Sequence, residues 1–183
     1  MKLTKLMGCA LAAALTLTQG IGAAHASTAA EIDATATAAL NQIYMQSPAA
    51  KALAAKAEAV LVFPKITKAG LMVGGQYGEG ALRKNGKTVA YYSSKAASYG
   101  LQAGAQTFSY VLILMKKSAV DYLDKSEGWE VGVGPSIVVV DEGMAKTLTT
   151  TTAKDDVYAF IFGQKGLMGG LGLQGTKITK IKK

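Results

Sequence analysis

The chain has 183 residues, half of them hydrophobic, with 20 Lys and Arg against 12 Asp and Glu for a formal net charge of +8. That apolar content excludes long-range disorder, and the length suits one domain with a sizeable core. One Cys and one His exclude a disulfide framework and leave little room for zinc or imidazole chemistry.

The first element in the chain is an export segment. Lys2 and Lys5 form a positive start, Leu6 to Leu17 is an apolar run too short to span a bilayer, and Ala24-His25-Ala26 is an A-x-A cleavage site. This pattern reads as a secretory signal peptide over residues 1–26, the alternative being a retained anchor. Leu6-Met7-Gly8-Cys9 also resembles a lipoprotein box, although most of the apolar run follows Cys9 rather than preceding it. Cleavage after Ala26 removes Cys9 and His25 together. Disulfides, Cys–His and Ser–His–Asp catalysis then fall away, and the expectation is a protein that is not an enzyme. Losing Lys2 and Lys5 lowers the net charge of +8 by two, to +6. An exported basic protein meets anionic lipid or polysaccharide more often than nucleic acid, or carries its charge for solubility alone.

Residues 27–58 read as an Ala-rich helical segment. Ile32, Ala36, Ala39, Leu40 and Ile43 recur at helical spacing, and Ser47-Pro48 reads as an N-cap followed by Pro at the first position of a second helix running to about Glu58. Such helices bury little area each and need another layer to lean on; lying on a membrane is the other reading, which their few cations disfavour.

After Glu58 the period changes from 3.6 to 2. Val60 to Phe63 is expected to be a short strand stopped by Pro64. Further strands are expected over about 70–83, 88–94, 98–115, 129–140, 157–163 and 170–181, with a helix near Lys117 to Leu123 and a Thr147–Thr152 run that is either strand or loop. No linker divides residues 59–183, so the expectation is a single α+β domain in which the Ala-rich helices pack on a strongly curved, mainly antiparallel, glycine-rich sheet, barrel-like or sandwich-like.

The stretch Gly74 to Thr88 ends in Gly86-Lys87-Thr88, the close of a Walker A loop. Ala81 stands where its first Gly should be, and a strand rather than a helix comes next. Asn85-Gly86 between two strand-like runs instead predicts a β-hairpin. Read at period two, four strands carry one nearly side-chain-free face: Gly74, Gln76, Gly78 and Gly80; Gly100, Gln102, Gly104 and Gln106; Gly132 and Gly134; Gly170, Gly172 and Gln174. Glycine weakens strands, so the repeat calls for sheet curvature, for close approach of another layer such as the helices, or for a ligand lying across the sheet. The opposite face, with Leu71, Val73 and Tyr77, is the apolar one.

Candidate chemistry is limited. Asp121, Asp124 and Glu127 read as a solvated helix face, and Asp141-Glu142 with Asp155-Asp156 is at most a weak hard-cation site without EF-hand spacing, so neither a metal nor another cofactor is expected. The basic residues Lys65, Lys68, Arg83, Lys84 and Lys87, with the tail lysines Lys177, Lys180, Lys182 and Lys183, form a site for phosphate-bearing headgroups if their loops meet at one end of the sheet. Nucleic acid ranks lower because the tyrosines fall in strands rather than among the cations.

Phe63-Pro64-Lys65, Lys68-Ala69-Gly70, Gly74 to Gly80, Ser98 to Gln106, Val111 to Met115 and Gly166 to Leu171 together resemble the SYLF domain, over about residues 40–180. The resemblance implies a non-enzymatic lipid-binding module, found from bacteria to yeast actin-patch proteins and phosphoinositide binders, whose N-terminal amphipathic helix helps membrane contact. An exported chain with few cations in its helices is not expected to meet actin. An anionic phospholipid or phosphoinositide-like headgroup at a periplasmic or envelope membrane is the expected partner. The competing expectation is a structural or interaction module of the envelope that binds proteins or itself through the Gly/Gln face.

Overall fold

The computed structural model describes residues 27–183 apart from 126–127, 167–172 and 174, with the side chains of 98–103 and 142 also left undescribed. The expected signal peptide, Cys9 and His25 lie outside the described residues, as do Gly170, Gly172 and Gln174 of the glycine-faced strands.

Helix α1 (Ala29–Gln46) opens on a capping box. Thr28 Oγ1 accepts from the Glu31 N–H at 3.2 Å, and Glu31 Oε2 accepts from the Thr28 N–H at 2.7 Å. Ile32, Ala36, Ala39 and Ile43 form its buried stripe, as the periodicity predicts. Ser47 then caps α2 (Pro48–Ala54), accepting from the Ala50 N–H at 3.2 Å. This helix ends four residues before Glu58, where the chain turns into the sheet.

Two long strands dominate the sheet: β1 (Ala59–Lys84) and β2 (Lys87–Leu114), paired antiparallel over nearly their whole length. They meet in the Asn85-Gly86 turn, whose φ values of 50° and 76° are both positive, as a type I′ hairpin requires. The shorter strands expected here are parts of these two. Pro64 does not stop its strand: the register slips between Phe63 and Ile66, which takes the missing N–H out of the ladder, and the Pro64 carbonyl accepts from Ser109 Oγ at 2.7 Å.

The ribbon then folds on itself. At its midpoint the register slips again between Leu71 and Val73, Met72 takes φ 64°, and a Cβ on Gly70 would stand 2.4 Å from Gly74 Cα. Beyond this bend the second half of β1 runs back over the first. A Cβ on Gly78 would meet the Lys65 carbonyl at 2.4 Å, and one on Gly80 the Val62 carbonyl at 2.2 Å. Real side chains do not fit there. Of the three reasons considered for the glycine face, close approach of another layer is therefore the operative one at these positions, and that layer is the first half of β1, not the helices or a ligand.

The remaining strands attach to the free edge of β2. Strand β5 (Val157–Gly166) pairs with the half of β2 from Gln106 to Leu114, and β6 (Lys177–Ile181) with the half from Tyr91 to Lys95. Strand β3 (Trp129–Glu130) extends β6, and β4 (Ile137–Val140) lies parallel to β5 in an otherwise antiparallel, strongly curled half-barrel, six-stranded among the described residues. Alternation sorts the side chains: Leu61, Phe63, Leu112 and Leu114 point inside the curl with Tyr92, Tyr110 and Trp129, while Val60, Val62, Val111 and Ile113 point outward beneath α1 and α2. The fold is α+β with helices on a curved sheet, as expected.

Two elements differ from expectation, and the Thr run takes the loop form of its two expected ones. Residues 129–140 are not one strand, because Gly132 (φ 107°) and Gly134 (φ 93°) make a turn between β3 and β4. A six-residue helix, α4 (Glu142–Thr147), follows an Asp141 cap that accepts from the Met144 N–H at 2.8 Å. The Thr run closes that helix in a side-chain-bonded loop, with Thr149 N–H donating to Thr152 Oγ1 at 2.9 Å. The helix expected near Lys117 is α3 (Lys117–Lys125), with Ala119, Val120 and Leu123 buried.

Candidate functional site

The second half of β1 has two ends, the Asn85-Gly86 hairpin and the Leu71–Val73 bend, separated by roughly 40 Å of strand at about 3.3 Å per residue. The five basic residues expected to form one site are divided between them. Arg83, Lys84 and Lys87 stand at the hairpin, Lys65 and Lys68 toward the bend.

At the hairpin, Arg83 is committed to α1. Its Nη2 donates to the Asp33 carbonyl at 2.9 Å and to Thr37 Oγ1 at 3.0 Å, and lies 3.7 Å from Asp33 Oδ1. Asp33 in turn accepts from the Thr88 hydroxyl at 2.6 Å and the Tyr91 hydroxyl at 3.0 Å. Lys84 and Lys87 face each other across the turn and are exposed. Acid balances them: Asp124, held below the usual carboxylate range mainly by its bond from Lys180 at 2.9 Å, also feels Lys84.

The bend has another character. Leu71, Met72 and Val73 are 75%, 65% and 60% exposed, three consecutive apolar side chains left largely in water among the described residues. The apolar face thus points outward here, and the Gln76–Gly78–Gly80 face points inward. About five residues behind the bend, Tyr77, Lys95 and Lys177 form one row across three strands, with Lys95 Nζ 5.7 Å from the centre of the Tyr77 ring. Lys65 is exposed at the level of Gly78, and Lys165, paired opposite Thr107, is exposed on the neighbouring strand. Glu130 stands opposite Lys177 at the end of the row. Lys68 is mostly buried on the inner face opposite Gln106, and it has an interaction partner of its own.

An apolar tip behind which lysines gather is the arrangement of an interfacial anchor: the tip enters the headgroup layer while the cations stay in water. Sequence reasoning does not find Lys95 and Lys165, and it assigns Leu71 and Val73 to the apolar face of their strand without placing that face in solvent. The register that brings Lys95 beside Tyr77 is a property of the pairing, and nothing local announces it.

Other candidates are occupied by structural work. Asp141 caps α4, and Asp156 pairs with Lys116 at 2.7 Å and accepts from the Ser136 N–H at 3.0 Å. Among the described residues no group of three or more His, Cys, Asp or Glu is placed to hold a metal ion, and no helix is long and apolar enough to cross a membrane. The apolar stripe of α1, which the SYLF resemblance assigns to membrane contact, is closed against Val62, Ala81 and Phe162 of the sheet.

A family model described as "Ysc84: Las17-binding protein actin regulator" matches residues 95–183, from the middle of β2 through β6. This is the SYLF family, whose motifs stand at Ser98–Gln106, Val111–Met115 and Gly166–Leu171; the motifs at Phe63–Gly80 lie outside the matched segment. No curated protein matches the chain.

Proposed function

We propose, starting from the Ysc84-family (SYLF) domain that residues 95–183 carry, that this is an exported, non-enzymatic protein of the cell envelope that binds anionic phospholipid surfaces through the β1–β2 bend. The observation that carries the reading is the exposed Leu71-Met72-Val73 tip with its collar of Lys65, Lys95, Lys165 and Lys177.

Magnitudes favour the bend over the hairpin. Moving an apolar side chain of this size out of water is worth about 1.5–3 kcal/mol when complete, and each lysine near an anionic surface adds about 1 kcal/mol. Five residues of strand span roughly 17 Å. With the tip sunk about 5–10 Å, the collar stands on the order of 10 Å above the phosphates, near the Debye length of about 8 Å at physiological salt. Lysine side chains bridge the remainder by snorkelling. The hairpin offers cations without an apolar anchor, and Asp33 and Asp124 offset them.

Interaction with other proteins through the Gly/Gln face is the weaker reading, because that face is covered at Gln76, Gly78 and Gly80. Export and removal of residues 1–26 remain part of the proposal, supported by the A-x-A site and by α1 opening at Ala29, just beyond it.

Co-sedimentation of residues 27–183 with vesicles tests the reading. Binding to phosphatidylglycerol-containing vesicles is expected to exceed binding to phosphatidylcholine vesicles, and Leu71→Asp with Val73→Asp to lower it at least tenfold without changing the melting temperature. Undiminished binding by the double variant would contradict it.

A further inference from the structure

Glu79 sits on the outer face of β1, two residues beyond Tyr77, and both of its carboxylate oxygens are engaged. Lys183 Nζ donates to them at 3.0 Å and 2.9 Å, and the Tyr77 hydroxyl donates to Oε1 at 2.8 Å. The same Lys183 ammonium donates to the Ser27 carbonyl at 2.8 Å. The Glu79 and Lys183 side chains are only 9% and 10% exposed, the most enclosed ion pair among those described. Burial works against the charged carboxylate, yet Lys183, Tyr77 and the Ser27 backbone N–H together hold its pKa below the ordinary value.

Ser27 is the residue that a cut after Ala26 would leave first. It immediately precedes Thr28, which the capping box already fixes at the start of α1. We infer that Glu79 is the acceptor site for the α-ammonium that cleavage creates at Ser27, so that processing locks the first helix, the outer face of β1 and the segment after β6 into one seam. Before cleavage, the Ser27 nitrogen is a neutral peptide N–H with one hydrogen. After cleavage, the same atom carries three hydrogens and a positive charge. The carboxylate already makes the bond from the Ser27 N–H charge-assisted; cleavage turns it into an ion pair, whose added Coulomb attraction in this enclosed site outweighs the repulsion from Lys183 beside it. Little ordering entropy is lost in forming it, because Lys183 and the Thr28 cap already hold Ser27 in place.

The inference goes beyond lipid binding and takes from the export reading only the origin of the free amine. It is therefore tested on chains whose ends are set beforehand, without membranes. One chain begins at Ser27 with a free amine; the other carries Ala24-His25-Ala26 ahead of it; each is made with Glu79 and with Glu79→Gln. The Ser27 chain is expected to melt on the order of 2–4 °C higher than the extended one, and Glu79→Gln to erase that gap. Equal melting of the two Glu79 chains, or a gap that persists in the Glu79→Gln pair, overturns the inference. The parent alone supplies a second measurement should the Glu79→Gln chains not fold. Acylation of the Ser27 amine is expected to be at least tenfold slower in the native protein than in urea, and an unprotected amine overturns the proposal.

Discussion

The two ends of the β1–β2 ribbon are near opposites in what they show to sequence and to solvent. The hairpin announces itself through Asn85-Gly86 and three basic residues in a row of five, and it even imitates the close of a phosphate loop. In the structure it is tied down: Arg83 is bound to α1 at Asp33 and Thr37, and Lys84 lies within the field of Asp124. The bend, with Gly74-Gly75 absorbed into a period-two pattern, reads as an ordinary alternating strand, yet it leaves Leu71, Met72 and Val73 in water. Local chemistry marks where a chain turns. Which surface is left without a partner is decided by how the halves of the ribbon close on each other.

The comparison can be broken most forcefully at that closure. Gly80→Val places a side chain 2.2 Å from the Val62 carbonyl and is expected to cost on the order of 4 kcal/mol or more, read as a loss of cooperative urea unfolding. A stable Gly80→Val protein would mean that the ribbon does not fold over itself. Arg83→Ala removes charge-assisted bonds to α1 and is expected to cost about 1.5–3 kcal/mol, at the lower end because Asp33 is partly exposed. Its vesicle binding should stay near the parent's once stability is corrected for. A binding loss as large as that of the bend variants would return Arg83 to the headgroup site.

Charge separates the ends more finely. Lys95→Glu with Lys177→Glu is expected to weaken binding to anionic vesicles at least about thirtyfold at physiological salt, at about 1 kcal/mol for each lysine lost near the surface. Lys84→Glu with Lys87→Glu, the same change in net charge at the hairpin, should alter it by less than about twofold if only the bend is at the membrane. Equal losses would show that net charge, not position, governs binding. The smallest effect concerns acid. Glu79 has its pKa lowered from 4.5 in the folded chain, so its contribution is fully present above that value and is lost as pH falls through the lower folded one. The melting temperature of Glu79→Gln should therefore fall less steeply below pH 4.5 than the parent's.

Much of this architecture is legible in the residues. The capping signals at Ser47-Pro48, the stripe of α1, the Asn85-Gly86 hairpin, α3 and the curved sheet all rest on short-range rules that tertiary contacts do not overturn. The glycine periodicity is legible too, but not what fills it, because the approach of Val62 and Lys65 to Gly80 and Gly78 joins positions that no local pattern links. Pro64 misleads for a related reason: a bulge absorbs a missing N–H, and only the register reveals the bulge. The exposure of the bend is not legible because period-two alternation divides a strand into two faces without saying which one is outside. Lys95 and Lys165 escape notice since cross-strand pairing, not sequence spacing, brings them level with Tyr77 and Thr107. The hairpin cations look more available than they are because the acids that meet Arg83 and Lys84 come from α1 and α3.

The absence of Cys from residues 27–183 opens the most direct test of the central claim. Met72→Cys and Lys87→Cys each introduce a unique thiol, one at either end, for a polarity-sensitive fluorophore. On adding phosphatidylglycerol vesicles, the probe at position 72 is predicted to shift to the blue and gain intensity while the probe at 87 stays as in water. A shift at 87 with none at 72, or no shift at either, would contradict the assignment of the bend as the lipid-binding end.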